Sequence, residues 1–396
     1  MGEEGKKKKN EEVGRRLGQV IARGKGKWRV KVFLGKDAQG RRQYFDQTVR
    51  GTKKQAEAYL AEKLVEFGQG GLARPSDVTL GAYLDRWLEV AAKPKLAPRT
   101  FDSYEEELER YVREPLGGRK LSSIRPLDIQ TLYANLLKKG LSARSVRGVH
   151  VVLNAALKQA VRWQLLRVNP AADMELPRQQ KTEMKAMNLE EVLKFLEACR
   201  EDPLGLVLVF ALATGMRPEE YIGLQWKDID WDNGTATVQR TVCWRRKGGG
   251  WYYGEPKTSR SNRTIPLPSF LLPQLMEHGE KQRDELAMLG LDQGASTHVF
   301  TSEVGGPLDS HNLGQRNFKS VLKRAGLPNL RLYDLRHTMA TLLLIAGENP
   351  KVVSERLGHA SITLTLDTYS HVLPTMQKAA AEKLERLMIG DGKKEK

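Results

Sequence analysis

The sequence predicts a multidomain α+β protein: a small sheet backed by one helix, then an all-helical domain, then a mainly helical domain carrying a small β-sheet. Three observations carry that expectation. Apolar residues alternate from Trp28 to Leu34, recur at helical spacing from Leu80 to Trp163, and alternate with β-formers in short segments between Thr235 and Leu267. Two stretches rich in Gly, Pro or charge, Gly68 to Pro75 and Ala171 to Lys185, separate the three patterns.

Residues 1–16 hold charge and glycine with almost no apolar content, so they read as a flexible basic tail that adds phosphate contact or solubility. The first domain spans residues 17–70. Trp28, Val30, Val32 and Leu34 fall on one side of a strand, Arg29 and Lys31 on the other. After the turn Lys36 to Gly40, a second strand runs from Arg41 to Val49. Thr52 with Gln55 three residues on is a capping-box pair, and Ala56, Tyr59, Leu60, Leu64 and Phe67 then follow helical spacing. Arg29, Lys31, Arg41 and Arg42 on the outward face suit a DNA groove, or serve as an ordinary solvated surface.

The second domain, residues 78–170, is helical throughout. Its helices are Leu80 to Leu88, Thr100 to Val112, Leu127 to Leu137 and Ser142 to Trp163, closed by Asn169-Pro170. The third, residues 186–390, opens with a helix capped by Asn188 and Glu191, then an apolar helix from Pro203 to Gly215. Short strands follow at Thr235 to Arg240, Trp251 to Tyr253 and Thr264 to Leu267, with helical patterns from Pro273 to Met388.

Charge narrows the partner. The 396 residues hold 65 Lys+Arg against 48 Asp+Glu, a formal net charge of +17. Residues 1–76 hold 19 of those cations and 9 of the acids, so an excess of ten sits in the first fifth of the chain. A polyanion is the expected ligand and the N-terminal end a dedicated nucleic-acid reader. Cys199 and Cys243 are the only cysteines, which excludes a disulfide framework and a zinc cluster, and no metal is expected. The most apolar run, Leu204 to Met216, falls short of the roughly 20 residues a membrane-spanning helix needs. Without a signal-peptide pattern after Lys6 to Lys9, the chain is expected in the cytoplasm, associated with the nucleoid.

The chemistry sits in the last domain as basic residues beside polar punctuation. The segments are Ala213-Thr-Gly-Met-Arg217-Pro-Glu-Glu220, Pro256-Lys257-Thr-Ser-Arg260, Tyr333-Asp-Leu-Arg336-His337-Thr338, Leu357-Gly-His359 and Thr368-Tyr369-Ser-His371. Taken singly, Arg217 would pair with Glu219 or Glu220, and Tyr369 would be packing. In order and separation together, the series resembles the tyrosine recombinase, or phage integrase, family, and the likeness covers the whole third domain. Residues 78–170 resemble that family's helical core-site-binding domain. Residues 17–70, through Lys27-Trp28-Arg29-Val30-Lys31-Val32 and the capped helix, resemble its three-stranded arm-site-binding domain.

The resemblance implies a catalytic set of Arg217, Lys257, Arg336, His359 and Tyr369, with Glu220 supporting the first arginine. Physical chemistry explains the residue types. A phenol with pKa near 10 ionises at pH 7 at a cost of roughly 4 kcal/mol, which a cationic cluster reduces. Guanidinium groups bind the non-bridging oxygens as charge builds there, doing the work of a metal. Lys257, expected at a β-hairpin tip after Trp251 to Tyr253, matches the general acid for the leaving 5′ oxygen. The 3′-phosphotyrosine keeps the phosphodiester energy, so rejoining needs no ATP.

Where the family most often has a histidine three residues before the second arginine, this chain has Tyr333, a possible site member. His337 would point about 100° away from Arg336 on a helix and is not expected to fill that place. His371 is expected to be structural, and Arg260 to bind DNA. Met376, Ala380, Leu384, Leu387 and Met388 form an apolar stripe that packs on its own domain or docks on a neighbouring subunit. The expected function is a site-specific integrase that inserts or excises a mobile element or phage genome. Its expected partners are core and arm attachment sites of double-stranded DNA, a homo-tetramer on that DNA, a host DNA-bending protein and an excision factor, with no membrane. A type IB topoisomerase-like nicking-resealing enzyme and a non-catalytic DNA-binding regulator are the alternatives.

Overall fold

The computed structural model describes residues 18–36, 42–68, 78–179, 184–245, 249–254 and 262–369, together with 381–382, 384–385 and 387–388. It divides into two compact units at Gln180/Lys181.

The first unit opens with an antiparallel sheet in the order β1 (Gly18–Ala22), β2 (Lys27–Lys36), β3 (Arg42–Arg50). β1 is a strand that no alternation announces. Its residues are intermediate or exposed, and pairing with β2, Val20 opposite Val30, gives it its form. Val30, Val32 and Leu34 are buried as their alternation requires, and α1 (Lys53–Gly68) adds Ala56 to that core. Both capping-box bonds form: the Thr52 amide donates to Gln55 Oε1 at 2.8 Å and the Gln55 amide to Thr52 Oγ1 at 3.3 Å.

Four helices then surround one apolar core: α2 (Leu80–Trp87), α3 (Pro98–Leu108), α4 (Pro126–Lys138) and α5 (Ala143–Arg162). Leu80, Tyr83, Leu84, Trp87 and Leu88 are buried together, as their spacing demands. Thr79 and Ser142 cap α2 and α5 through their side-chain oxygens. The buried Tyr83 hydroxyl is satisfied by the Ala156 carbonyl at 2.6 Å. The segment after Asn169-Pro170 is fastened to this bundle. Ala171 is buried, Gln130 Nε2 donates to the Glu175 carbonyl at 3.2 Å, and Arg147 Nε donates to that of Pro177 at 2.8 Å. Proline and charge mask this in the sequence, because the anchoring bonds go to backbone carbonyls.

The second unit begins with α6 (Leu189–Cys199), whose cap pairs Asn188 Oδ1 with the Glu191 amide at 2.9 Å and the Asn188 amide with Glu191 Oε2 at 2.8 Å. The apolar α7 (Gly205–Thr214) and short α8 (Pro218–Ile222) lead into the β region. There β4 (Ile229–Asp230), β5 (Thr235–Val238) and β8 (Arg263–Pro266) form one sheet in the order β4-β5-β8. β6 (Thr241–Trp244) and β7 (Trp251–Gly254) pair separately. β6 is a strand beyond those expected. β7 pairs with β6, and β8 with β5. Lys257 and Arg260 themselves lie outside the described residues. Further along the unit come α9 (Leu271–Met288), α10 (Lys319–Arg324), entered through the helical turns Ser310–Asn312 and Leu313–Phe318, then α11 (Asp334–Ile345), α12 (Pro350–Leu357) and α13 (Ile362–Thr368). One continuous core joins α6, α7, the β4-β5-β8 sheet and α11. No helix among the described residues is long and apolar enough to cross a membrane.

Candidate active site

Two helix ends build the site. α7 stops at Gly215 and α12 at Gly358, both left-handed with φ of 65° and 64°. That conformation suits glycine and turns the last carbonyls out of the helix. A Cβ at Gly215 would stand 1.9 Å from the end of the Met339 side chain, and one at Gly358 2.9 Å from the Arg263 guanidinium, so a larger residue at either would also have to displace that side chain.

The freed carbonyls hold arginines. Arg336, on the first turn of α11 and 1% exposed, donates from Nη1 to the Gly215 carbonyl at 2.7 Å and from Nη2 to that of Leu357 at 2.6 Å. Arg217 Nη2 reaches the Gly358 carbonyl at 3.4 Å. These are the negative ends of two helix dipoles, where a cation is stabilised. Burial lowers the Arg336 guanidinium to about 10, which leaves it charged at neutral pH.

Behind the arginines sits Glu220, 2% exposed. Its Oε1 accepts from Arg217 Nη1 at 2.6 Å and its Oε2 from the Arg217 amide at 2.9 Å. Arg263 Nη2 donates to Oε2 at 2.8 Å, and Arg263 Nε to the Arg356 carbonyl at 2.7 Å. Burial works to raise the Glu220 carboxyl, but the hydrogen bond from Arg263 and the charges of both arginines outweigh it and hold the group below its ordinary value. The sequence places Glu220 behind Arg217 and gives Arg263 no role. The Arg263–Glu220 bond spans 43 residues, and no local pattern signals it.

Tyr369 ends α13 and is 1% exposed. Burial raises its phenol above the usual value, and the nearby Arg336 charge offsets part of that. Its hydroxyl lies 2.9 Å from His337 Nδ1. His337, expected only to point away from Arg336 and not to take the place of the family histidine, thus meets the phenol, a contact that its angle to Arg336 does not signal. His337 is four residues after Tyr333, so the two share a helix face, with ring centroids 5.2 Å apart; the His337 and Tyr369 rings follow at 5.8 Å. Burial works to lower the Arg217 guanidinium, but the charge and hydrogen bond of Glu220, with a smaller contribution from Tyr333, which is 37% exposed, hold it above its ordinary value. His359 Nδ1 meets Thr365 Oγ1 at 2.7 Å. Burial, then the charges of Arg336 and Arg217, depress His359 to about 4, and burial does the same to His337. Both imidazoles are therefore neutral at pH 7.

Among the described residues, then, Arg217, Arg336, His359, Tyr369, Tyr333 and Glu220 belong to one unit linked through shared bonds and charges, with His337 added. Two planar cations, a phenol and neutral imidazoles can bind one phosphate and exchange protons around it.

The N-terminal cations are arranged differently. Arg29 Nε donates to both Asp46 oxygens, at 2.7 and 2.9 Å, and Lys31 lies over the Tyr44 ring at 4.6 Å and 3.9 Å from the same carboxylate. Arg42 is exposed on β3. Arg41 and His371 lie outside the described residues. Of the C-terminal stripe, Leu384, Leu387 and Met388 are exposed.

The family model for the phage integrase family matches residues 183–376, and that for the phage integrase N-terminal SAM-like domain matches residues 79–137. A tyrosine recombinase XerC-like protein of Caldanaerobacter subterraneus subsp. tengcongensis is 34% identical over 389 residues, covering 93% of this chain and 98% of its own length. The structure of the Tn1549 transposon integrase in complex with a circular intermediate DNA aligns with a TM-score of 0.65 at 24% identity, over 78% of this chain and 99% of that one. A lambda integrase tetramer bound to a Holliday junction aligns with a TM-score of 0.55 at 19% identity, over 90% and 96%.

Proposed function

The chain belongs to the phage integrase family, the site-specific tyrosine recombinases that cut and rejoin DNA, and from that premise we propose which residues perform the reaction and what they assemble with. Tyr369 Oη attacks the scissile phosphorus and forms a 3′-phosphotyrosine. Arg217 and Arg336 bind the non-bridging oxygens with the donors that their carbonyl and carboxylate partners leave free. Lys257 protonates the leaving 5′ oxygen, and neutral His359 hydrogen-bonds the same phosphate. Glu220 and Arg263 position Arg217, and Tyr333 donates a hydrogen bond where an imidazole is usual.

The observation that carries this reading is the convergence on one site of Arg217 and Arg336, each bonded to the end of α12, with Tyr369 in the Arg336 field. Residues 17–70 are proposed to read arm-type sites and residues 78–170 to bind the core site, phosphate contacts giving most of the affinity. The exposed Leu384, Leu387 and Met388 support docking on a neighbouring copy in a homo-tetramer on DNA. Holding two kinds of site at once requires bent DNA, which brings a host DNA-bending protein and an excision factor into the proposal. The protein would act on the nucleoid.

The test begins with a duplex selected by binding from a randomised pool, rebuilt with a nick beside the crossover point so that cleavage traps the enzyme. A denaturant-resistant adduct that disappears in Tyr369→Phe is expected. Absence of any adduct with the selected duplex would favour the non-catalytic regulator, and nicking-resealing without exchange between two duplexes would favour the topoisomerase-like activity.

A further inference from the structure

We propose that His337 is a catalytic residue, the base that takes the phenolic proton of Tyr369; this rests on Tyr369 being the nucleophile. The geometry is direct: His337 Nδ1 is 2.9 Å from Tyr369 Oη, and the two rings meet at 62° with centroids 5.8 Å apart. That separation is within the reach a general base needs. With its own hydrogen on Nε2, the imidazole presents a lone pair from Nδ1 to the phenol, which donates.

The surroundings fix that arrangement. Tyr333 is the N-cap of α11, which carries Arg336 and His337 near its start, and the Tyr333 ring stacks edge-on against the imidazole with centroids 5.2 Å apart. Arg336 is anchored by two carbonyls, so the base rides on an element held at the phosphate-binding end. The proton balance is complete. As Tyr369 Oη bonds to phosphorus, its hydrogen passes to Nδ1 and His337 becomes imidazolium. The bond from phosphorus to the 5′ oxygen breaks, and that oxygen receives a proton from the general acid. Rejoining reverses both transfers. The free site keeps the imidazole neutral and able to accept; the phosphate brings negative charge beside Arg336 and so stabilises the imidazolium as it forms.

His337→Asn tests this in the full chain on the nicked duplex described above. Asn can retain a hydrogen bond to the phenol through Oδ1 but cannot accept its proton. The expected result is unchanged DNA affinity with a single-turnover cleavage rate lower by about 10²–10⁴-fold. A bridging 5′-phosphorothiolate, whose sulfur leaves without protonation, is expected to restore cleavage to Lys257→Ala and not to His337→Asn. Cleavage by His337→Asn within threefold of the parent, or its rescue by the phosphorothiolate, would overturn the proposal. Should the Asn variant lose DNA binding, His337→Ala with added imidazole takes its place: recovery of cleavage is expected, and none counts against the base. If Tyr369→Phe still forms an adduct, the nucleophile assignment fails instead, which separates the two readings.

Discussion

The second unit and the N-terminal sheet each set two cations around a carboxylate, Arg217 and Arg263 around Glu220 and Arg29 and Lys31 around Asp46, and the two clusters differ above all in burial. Glu220 is buried and holds Arg217 and Arg263, while the neighbouring Arg336 is wholly buried against helix-end carbonyls. Asp46 is solvent-exposed, holding Arg29 and Lys31 on an open strand face. The low-dielectric cluster preorganises direction: each guanidinium has fixed partners and presents its remaining donors one way. The exposed cluster keeps only charge, which water and salt screen. One net charge of +17 therefore describes two kinds of electrostatics.

The comparison breaks most readily at Glu220. Glu220→Gln leaves Arg263 and Arg217 without their counter-charge, and the second unit should lose about 3–5 kcal/mol of stability, read as a lower urea midpoint. An unchanged midpoint would mean that this cluster is no more structural than the Asp46 one. Next comes Arg336→Lys, which keeps the charge and loses the two-pronged geometry. Cleavage should fall about 10²–10³-fold with DNA affinity held, whereas near-parental cleavage would reduce Arg336 to a point charge. Gly215→Ala should cost at least ~1 kcal/mol through the left-handed backbone alone, with the Met339 contact adding to it.

Acidification should separate the regions as well. His337 and His359 fall to about 4 when folded, against about 6.5 for an unperturbed imidazole. Between those values the unfolded chain binds protons that the folded site refuses, so stability is lost as pH drops from about 6.5 towards 4. Thermal melts across that window should show the loss in the parent and a flatter profile in His359→Asn. An equal slope in both would remove His359 as a source. The smallest effect belongs to the sheet. Asp46→Asn should leave the melting temperature unchanged while freeing Arg29 and Lys31, so that nonspecific DNA binding tightens and the log-log salt slope steepens by about one. A melting shift as large as that of Glu220→Gln would show the two clusters to be alike after all.

Local patterning was enough to set the helices, the two main N-terminal strands, their caps and the basic character of the chain. Each of those depends on residues within a few positions of one another, such as Thr52 with Gln55 or Asn188 with Glu191. The order of Arg217, Arg336, His359 and Tyr369 along the chain was likewise legible, because spacing is itself a linear property. β1 was not, since cross-strand pairing makes it a strand. Nor was Arg263, whose carboxylate is 43 positions away, or His337, whose place depends on where α13 delivers Tyr369, 32 positions on. Tertiary folding alone chose which carbonyls face Arg336 and which imidazole meets the phenol. Proton transfer and charge stabilisation act over about 3 Å, a distance that packing between helices fixes and a sequence interval does not.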